Sequence, residues 1–243
     1  MSLVAIRRFA DLEALSRAAA SDLVEIARAA VADRGVCHVA LSGGSTPKRL
    51  FGVLTSMGRA ALPWDKIVLW WGDERTGAPD HADSNYRMAR ETLIEPLGLT
   101  NVHRIDGGAA DHDAAARAYE AELLTAIGDP PVLDLAWLGM GPDGHTASLF
   151  PGSPALSEGR RWVVANAVDS PLTKGPTTRI TMTTRALNLA RHVRFLVAGA
   201  DKADTLAGVL GGPPGHYPSQ LITSEDLAWF VDEAAATRLH GAR

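Results

Sequence analysis

Short apolar segments alternate with longer segments of helical periodicity along the chain. Several of the apolar segments are apolar at every position, which is typical of strands that helices cover on both faces. They predict five strands, at residues 36–41, 67–71, 133–138, 162–166 and 193–198. Because strands and helices alternate, we expect an α/β fold with a mostly parallel, Rossmann-like, doubly wound sheet and helices on both faces.

The segments between the strands carry signals for helix ends. Thr46 followed by Pro47 is typical of an N-cap and a first helical residue, and Ser84 is a second N-cap candidate. Asp111 or Asp113 can cap a further helix. Together with the periodicity, these signals predict helices from residue 46 onward and at residues 11–33, 84–95, 111–127, 184–192, 202–210 and 232–239.

Composition narrows the class of protein. The chain has 243 residues, of which 46% are hydrophobic and 21% charged, and this excludes a disordered chain. Since it contains no low-complexity linker and no repeat, we expect a single domain over residues 1–243. A net charge of −4 argues against non-specific binding of nucleic acid.

Compartment and assembly are predicted only coarsely. The single cysteine, Cys37, excludes an intrachain disulfide and fits a reducing compartment. Residues 1–10 hold too few apolar residues for a signal-peptide core, and no apolar run approaches the length of a membrane span. We therefore expect a cytoplasmic protein with no membrane or nucleic-acid partner, either a monomer or a weak homodimer.

The loop after the first predicted strand has features of a phosphate site. Two glycines allow a ligand to approach the backbone, two hydroxyl groups can donate, and a helix N-terminus follows. The glycine spacing differs from that of a Walker loop. A capped turn without a ligand is the alternative, but the paired glycines and hydroxyls favour phosphate binding by Ser42, Gly43, Gly44, Ser45 and Thr46.

Three consecutive charged residues follow the second predicted strand, in Gly72-Asp-Glu-Arg75. Ligands of parallel α/β sheets bind at the carboxyl ends of strands, so Asp73 and Arg75 are candidate site residues. Taken alone, this segment fits a solvated turn with a local ion pair better than a ligand site.

The loop after the third predicted strand contains residues 139–144, Gly-Met-Gly-Pro-Asp-Gly, which match the dinucleotide pattern G-x-G-x-x-G. Pro151 and Pro154 interrupt the helix that such a site requires, so the match is weak. His145 is more informative, because an imidazole can take a proton from water when a neighbour fixes its tautomer. Asp143, two positions earlier, is the candidate neighbour.

Two further cations are candidates for binding an anion. Lys202 falls in the first turn of a predicted helix, where it opposes the helix dipole unless an anion compensates. Arg179 lies in a polar segment before another predicted helix. No group of histidines and carboxylates has a recognised metal-ligand spacing, so we expect no metal.

Taken together, these segments resemble the family of 6-phosphogluconolactonases and glucosamine-6-phosphate deaminases over nearly the whole chain. The resemblance rests on residues 41–47, 71–75, 83–86, 139–152, 179–181 and 199–202, and Pro218-Ser219 also fits. Residues 139–152 are the most specific part. In the deaminases a glutamate stands five residues after the histidine, and here that position is Phe150.

The resemblance implies hydrolysis of 6-phospho-D-glucono-1,5-lactone to 6-phospho-D-gluconate, without metal or cofactor. It implies that His145 is the general base and that Asp143 orients it. Arg75, with backbone N–H groups, is expected to stabilise the oxyanion. Lys202, the glycine loop and Arg75 or Arg179 are expected to hold the phosphate.

Two other functions stay open. One is an amino-sugar-phosphate deaminase or isomerase on the same scaffold, which release of ammonia from glucosamine 6-phosphate would reveal. The other is a non-catalytic module that binds a sugar phosphate or a dinucleotide, for which His145 would need no role as a base.

Overall fold

The apolar strands expected from the sequence lie at the centre of a six-stranded parallel sheet. The structure, a computed structural model, describes residues 5–173 and 175–239. In this part of the chain the strands are β1 (Ala5–Phe9), β2 (Cys37–Leu41), β3 (Ile67–Trp71), β4 (Asp73–Arg75), β5 (Leu135–Leu138), β6 (Val163–Val168), β7 (Thr177–Met182), β8 (His192–Val197) and β9 (Leu227–Asp232). The six-stranded sheet has the order β1-β9-β8-β5-β2-β3, and β4-β7-β6 form a separate antiparallel sheet.

The α-helices of at least five residues in the same part of the chain are α1 (Leu12–Arg34), α2 (Ser45–Met57), α3 (Asn85–Ala89), α4 (His112–Ile127), α5 (Thr184–Asn188) and α6 (Ala203–Gly211). They cover both faces of the parallel sheet, so the expected α/β fold is confirmed. None of the helices in residues 5–173 and 175–239 is both long and apolar enough to cross a membrane.

Local capping explains several helix ends. The side chain of Asp11 accepts a hydrogen bond of 2.8 Å from the amide of Ala14 and starts α1, which Gly35 ends with a φ of 79°. The side chain of Asp111 starts α4 in the same way, so Asp111 rather than Asp113 is the cap. Ser84 caps α3, as its position predicts.

The sequence pattern did not predict four of the strands. β1 and β9 pair at one edge of the parallel sheet, while β4 and β7 belong to the antiparallel sheet. The sequence pattern predicts loops for the charged residues after β3 and for the polar segment before α5, because β4 has only three residues and β7 is rich in threonine. Residues 162–166 were predicted correctly as a strand, but β6 lies in the antiparallel sheet and not in the central one.

Several helix bounds differ from the prediction. Gly44, not Thr46, is the N-cap of α2, so Ser45 is its first residue. The helix expected to stop before Pro96 continues from α3 through a π-helical turn, Arg90–Ile94, and a last turn, Glu95–Leu97. The helix predicted at 184–192 ends at Asn188, and the one predicted at 232–239 is only a 3₁₀ turn after β9.

The order of the strands places a crevice between β2 and β5. The chain leaves β2 toward β3 on one side, and it leaves β5 toward β8 on the other. Beyond the carboxyl ends of two such strands the connections diverge, and ligands of open α/β sheets bind in that opening. The glycine loop after β2 and the histidine loop after β5 therefore face the same space.

Candidate active site

A cavity of about 260 Å³ opens beyond the ends of β2 and β5. Among its lining residues are seven that the sequence singled out: Ser42, Gly43, Gly44, Asp73, Arg75, His145 and Lys202. A smaller cavity of about 140 Å³ shares Gly43, Gly44 and Lys202 with it and adds Ser45 and Thr46 to the lining. Loops after β2, β3, β5 and β8 thus converge on one place, as the fold class predicts.

The smaller cavity lies against the N-terminus of α2. Gly44 caps this helix with a φ of 104° and offers no side chain to its first amides. The first backbone N–H groups of a helix have no partner within the helix and carry the positive end of its dipole, which suits an anion. At Gly43 a Cβ atom would lie 1.8 Å from Oδ1 of Asn85, so only glycine fits there.

Lys202 brings a cation to the same place. It is the residue before α6, its side chain is 22% exposed, and it lines both cavities. Its Nζ lies 3.2 Å from a carboxylate oxygen of Asp201, which is largely exposed. An ammonium group and a helix N-terminus side by side supply the positive charge and the N–H donors that an anion needs.

His145 and Asp143 form a pair beside the larger cavity. Nδ1 of His145 lies 2.5 Å from Oδ1 of Asp143, and the same oxygen accepts the backbone N–H of His145 at 3.1 Å. This contact fixes the ring orientation, and Nε2 makes no hydrogen bond with any described residue. Burial by itself would raise the pKa of Asp143, but its hydrogen bond and attraction to His145 outweigh burial and lower that pKa.

Phe150 packs on the other side of the imidazole. The two rings stack with centroids 4.1 Å apart and planes 22° apart, and Phe150 is buried. Position 150 is the one that carries a glutamate in the deaminases that the chain resembles. Here an apolar ring occupies it, which restricts the imidazole to one orientation and supplies no proton.

The histidine loop is crowded at its glycines. A Cβ atom on Gly141 would lie 2.1 Å from the ring of His145, and one on Gly144 would lie 2.3 Å from the ring of Tyr217. Ser219 donates two hydrogen bonds to the carbonyl oxygen of Gly144, one from its backbone and one from its hydroxyl group. The Pro218-Ser219 segment, which fits the family resemblance, therefore holds this loop in place.

Asp73 holds the far end of the same loop. Its carboxylate is buried and accepts a hydrogen bond of 2.7 Å from the hydroxyl group of Ser148. Asn85 donates to the backbone carbonyl of Asp73 at 2.9 Å. Asp73 thus lines the cavity and connects β4 to the histidine loop.

Arg75 and Arg179 face each other across the ladder between β4 and β7. One Nη of Arg75 donates to the backbone carbonyl of Asp83, and Nε of each arginine is buried without a described partner. Burial and the charge of Arg75 lower the pKa of Arg179. Arg75 lines the larger cavity, whereas Arg179 lines neither cavity, so only Arg75 is placed to contact a ligand there.

The sequence argument did not select seven lining residues: Asn85, Gly139, Met140, Gly141, Pro142, Ala147 and Leu172. Asn85 belongs to the polar cluster before α3, so its position was visible but its contact with the glycine loop was not. Five others fall inside the most specific motif, residues 139–152. No sequence signal marked Leu172, which lies after β6 in a short 3₁₀ helix, Pro171–Thr173.

The chain is similar in sequence to proteins of one family. A family model described as glucosamine-6-phosphate isomerases/6-phosphogluconolactonase matches residues 10–229. The 6-phosphogluconolactonase of Synechocystis is 43% identical over 220 residues, covering 86% of this chain and 88% of that protein. The 6-phosphogluconolactonase of Mycobacterium tuberculosis is 40% identical over 245 residues, covering 96% and 98%.

Solved structures agree with the sequence comparison. The structure of 6-phosphogluconolactonase from Trypanosoma cruzi superimposes with a TM-score of 0.86 at 32% identity, and the match covers 98% of this chain and 97% of that one. On the matched sequence, the fold and the converging loops, the chain belongs to the family of glucosamine-6-phosphate isomerases and 6-phosphogluconolactonases.

Proposed function

We propose that this chain hydrolyses 6-phospho-D-glucono-1,5-lactone to 6-phospho-D-gluconate. The observation that carries the proposal is the stack of Phe150 on His145 beside the cavity, at the position where a deaminase has a carboxylate. Ring opening of an amino sugar needs a proton donor there, whereas hydrolysis of a lactone needs only a base for water. Relatives at 40% identity and above carry the name of this lactonase.

In the proposed mechanism His145 acts as the general base. Asp143 holds Nδ1, so Nε2 is the nitrogen that takes a proton from water as the water oxygen attacks the C1 carbonyl. The negative charge on the carbonyl oxygen is stabilised by Arg75 and by backbone N–H groups of the glycine loops. The ring oxygen then leaves and takes the proton back from the imidazolium, which restores neutral His145.

The phosphate is proposed to lie in the smaller cavity. The N-terminus of α2 and Lys202 meet there, and both favour a dianion. Binding at this end would place the lactone ring in the larger cavity, since the two cavities share Gly43, Gly44 and Lys202. Arg179 lines neither cavity, and its contribution to phosphate binding stays a prediction.

A coupled assay tests the proposed function. Glucose-6-phosphate dehydrogenase generates the phospholactone, and its disappearance is followed with and without this protein, because the lactone also opens spontaneously. We expect faster disappearance with the protein and no release of ammonia from glucosamine 6-phosphate. Ammonia release, or a rate equal to that of the protein-free control, contradicts the proposal.

We also propose that the reaction needs no metal. Among residues 5–173 and 175–239, no group of three or more histidine, cysteine, aspartate or glutamate side chains is arranged to hold an ion. Dialysis against a chelator is expected to leave the rate unchanged, and a loss that added metal restores would contradict this. A cytoplasmic location, a monomer or weak homodimer and the absence of a nucleic-acid partner stay predictions.

A further inference from the structure

The turn that follows His145 contains an unusual backbone conformation. The amide of Leu149 donates to the carbonyl of Thr146 at 2.9 Å, which closes a four-residue turn with Ala147 at its second position. Ala147 has a φ of 47° and is the only non-glycine residue with a positive φ in the described part of the chain. Turns with positive φ at this position strongly prefer glycine, asparagine or aspartate, so alanine is strained there.

Both neighbours of Ala147 are held in place. Thr146 and Ser148 are each 1% exposed. The backbone amide of Ser148 donates to the hydroxyl oxygen of Thr181 at 3.2 Å. The backbone carbonyl of Ser148 accepts a hydrogen bond from the side-chain amide of Asn166 at 2.8 Å. Since these contacts come from β6 and β7, the turn keeps its shape and the positive φ persists.

The side chain at position 147 is half-buried and packs partly against the hydrophobic core, so a methyl group has room there, in contrast to the nearby glycines. Gly141 and Gly144 lie where a methyl group would collide with His145 and Tyr217. Ala147 is half-buried and lines the larger cavity together with His145. A glycine at position 147 would relieve the strain, yet the chain carries a methyl group there, on the cavity wall.

We propose that Ala147 is a specificity-determining residue. Its methyl group forms the part of the cavity wall two residues from His145, and it limits the size of the substituent that a lactone can carry on the carbon next to its carbonyl. This inference rests on the proposed function, because His145 marks the position of the carbonyl only if it acts on a lactone. Removing one methyl group from such a wall changes discrimination between substrates by about tenfold or more.

The test compares two lactones and three variants. The lactones are 6-phospho-D-glucono-1,5-lactone and its 2-acetamido-2-deoxy analogue, and the quantity measured is the ratio of their kcat/KM values. This ratio, with the gluconolactone in the numerator, is the preference. We expect Ala147→Gly to lower it about tenfold. Its Tm should equal or exceed that of the wild type, because the relief of strain offsets the greater freedom of glycine in the unfolded chain.

Two further variants serve as controls. Ala147→Ser keeps the Cβ atom and adds a hydroxyl group, so it is expected to keep or increase the wild-type preference. Gly152 also has a positive φ, of 72°, and a Cβ atom there would meet nothing within 4 Å. Gly152→Ala therefore adds a methyl group at a strained position outside the cavity lining, and we expect a lower Tm with an unchanged preference.

The outcomes separate this inference from the proposed function. If the wild type does not hydrolyse the phosphogluconolactone, the proposed function fails. If the wild type is active but Ala147→Gly keeps its preference, or slows both substrates equally, Ala147 does not determine specificity. A loss of preference in Ala147→Ser or Gly152→Ala as large as in Ala147→Gly would also overturn the inference.

Discussion

Each reactive side chain at the cavity is held by a neighbour that leaves one functional atom available. Asp143 binds Nδ1 of His145, and the carbonyl of Asp83 holds one Nη of Arg75. Such contacts reduce the side-chain freedom that would be lost when a substrate binds, so the groups are positioned before it arrives.

The variant His145→Ala tests the role of the imidazole. We expect kcat for the phospholactone to fall about 10²–10⁴-fold, the usual contribution of a general base, while KM changes little. Steady-state kinetics in the coupled assay measures both values. His112→Ala is the control, since His112 is the first residue of α4 and lines neither cavity. A kcat of His145→Ala equal to that of this control would remove His145 from the mechanism.

The variant Lys202→Ala tests the phosphate site. We expect kcat/KM for the phospholactone to fall by about 10–100-fold, the equivalent of one charge-assisted hydrogen bond, with little change for unphosphorylated gluconolactone. Lys66→Ala is the control, since Lys66 is an exposed lysine just before β3. It should leave kcat/KM unchanged for both the phosphorylated and the unphosphorylated lactone. If Lys202→Ala slowed both lactones by the same factor, the lysine would not be binding phosphate.

At the scale of elements, Glu74 joins the antiparallel sheet to α3. Its buried carboxylate accepts the backbone amides of Asn85 at 2.8 Å and Tyr86 at 2.7 Å, and the hydroxyl group of Ser84 at 3.1 Å. Burial raises the pKa of Glu74, although these backbone hydrogen bonds oppose that increase. These hydrogen bonds fix the start of α3. They thereby also fix the position of the side-chain amide of Asn85 beside Gly43.

The variant Glu74→Gln is expected to destabilise the protein by about 1–3 kcal/mol, because the amide –NH₂ group would face backbone donors that then lack an acceptor. Urea denaturation followed by circular dichroism gives the change in free energy of unfolding. Glu91→Gln is the matched control, since Glu91 is 46% exposed and pairs with Arg87 on the surface. Equal losses in the two variants would show that the helix start does not depend on Glu74.

At the scale of the whole molecule, the amino-terminal ends of β2 and β5 contain buried polar groups far from the cavity. His38 is 7% exposed, and its Nδ1 accepts the indole N–H of Trp70 at 3.1 Å. Burial lowers the pKa of His38 and outweighs the attraction of Asp134, which raises it, while His103 and Arg34 add smaller contributions that lower it. The folded state therefore takes up a proton less readily than the unfolded chain.

The resulting pH dependence has a definite sign. The unfolded chain binds the proton at the ordinary histidine pKa of about 6.5. The contribution of His38 to the free energy of unfolding is therefore fully present above that pH and decreases as the pH falls below it. The slope for one such histidine approaches about 1.4 kcal/mol per pH unit. The free energy of unfolding is measured by urea denaturation at several pH values between 5 and 8. We expect its slope against pH to be smaller for His38→Gln than for the wild type or for His112→Gln. Identical slopes in all three would contradict the assignment.

Helix caps and the alternation of strands and helices predicted much of the fold and the site. Both can be identified from residues that are close together in the sequence. Ser84 and Asp111 cap helices as expected, since a capping side chain reaches only three residues along the chain. The converging loops followed from strand–helix alternation, since the carboxyl ends of parallel strands share one edge. β4 and β7 were missed, because their pairing joins residues about a hundred positions apart and leaves no local periodicity.

The sequence by itself determined the class of fold, the glycine loop before a helix, and Asp143 as the candidate partner of His145, because each depends on residues close together in the chain. Only the tertiary structure decided that Asn85 fills the space beside Gly43 and that Arg75 faces Arg179, because these contacts depend on how distant segments pack. It also decided the positive φ of Ala147, which distant strands maintain through Ser148.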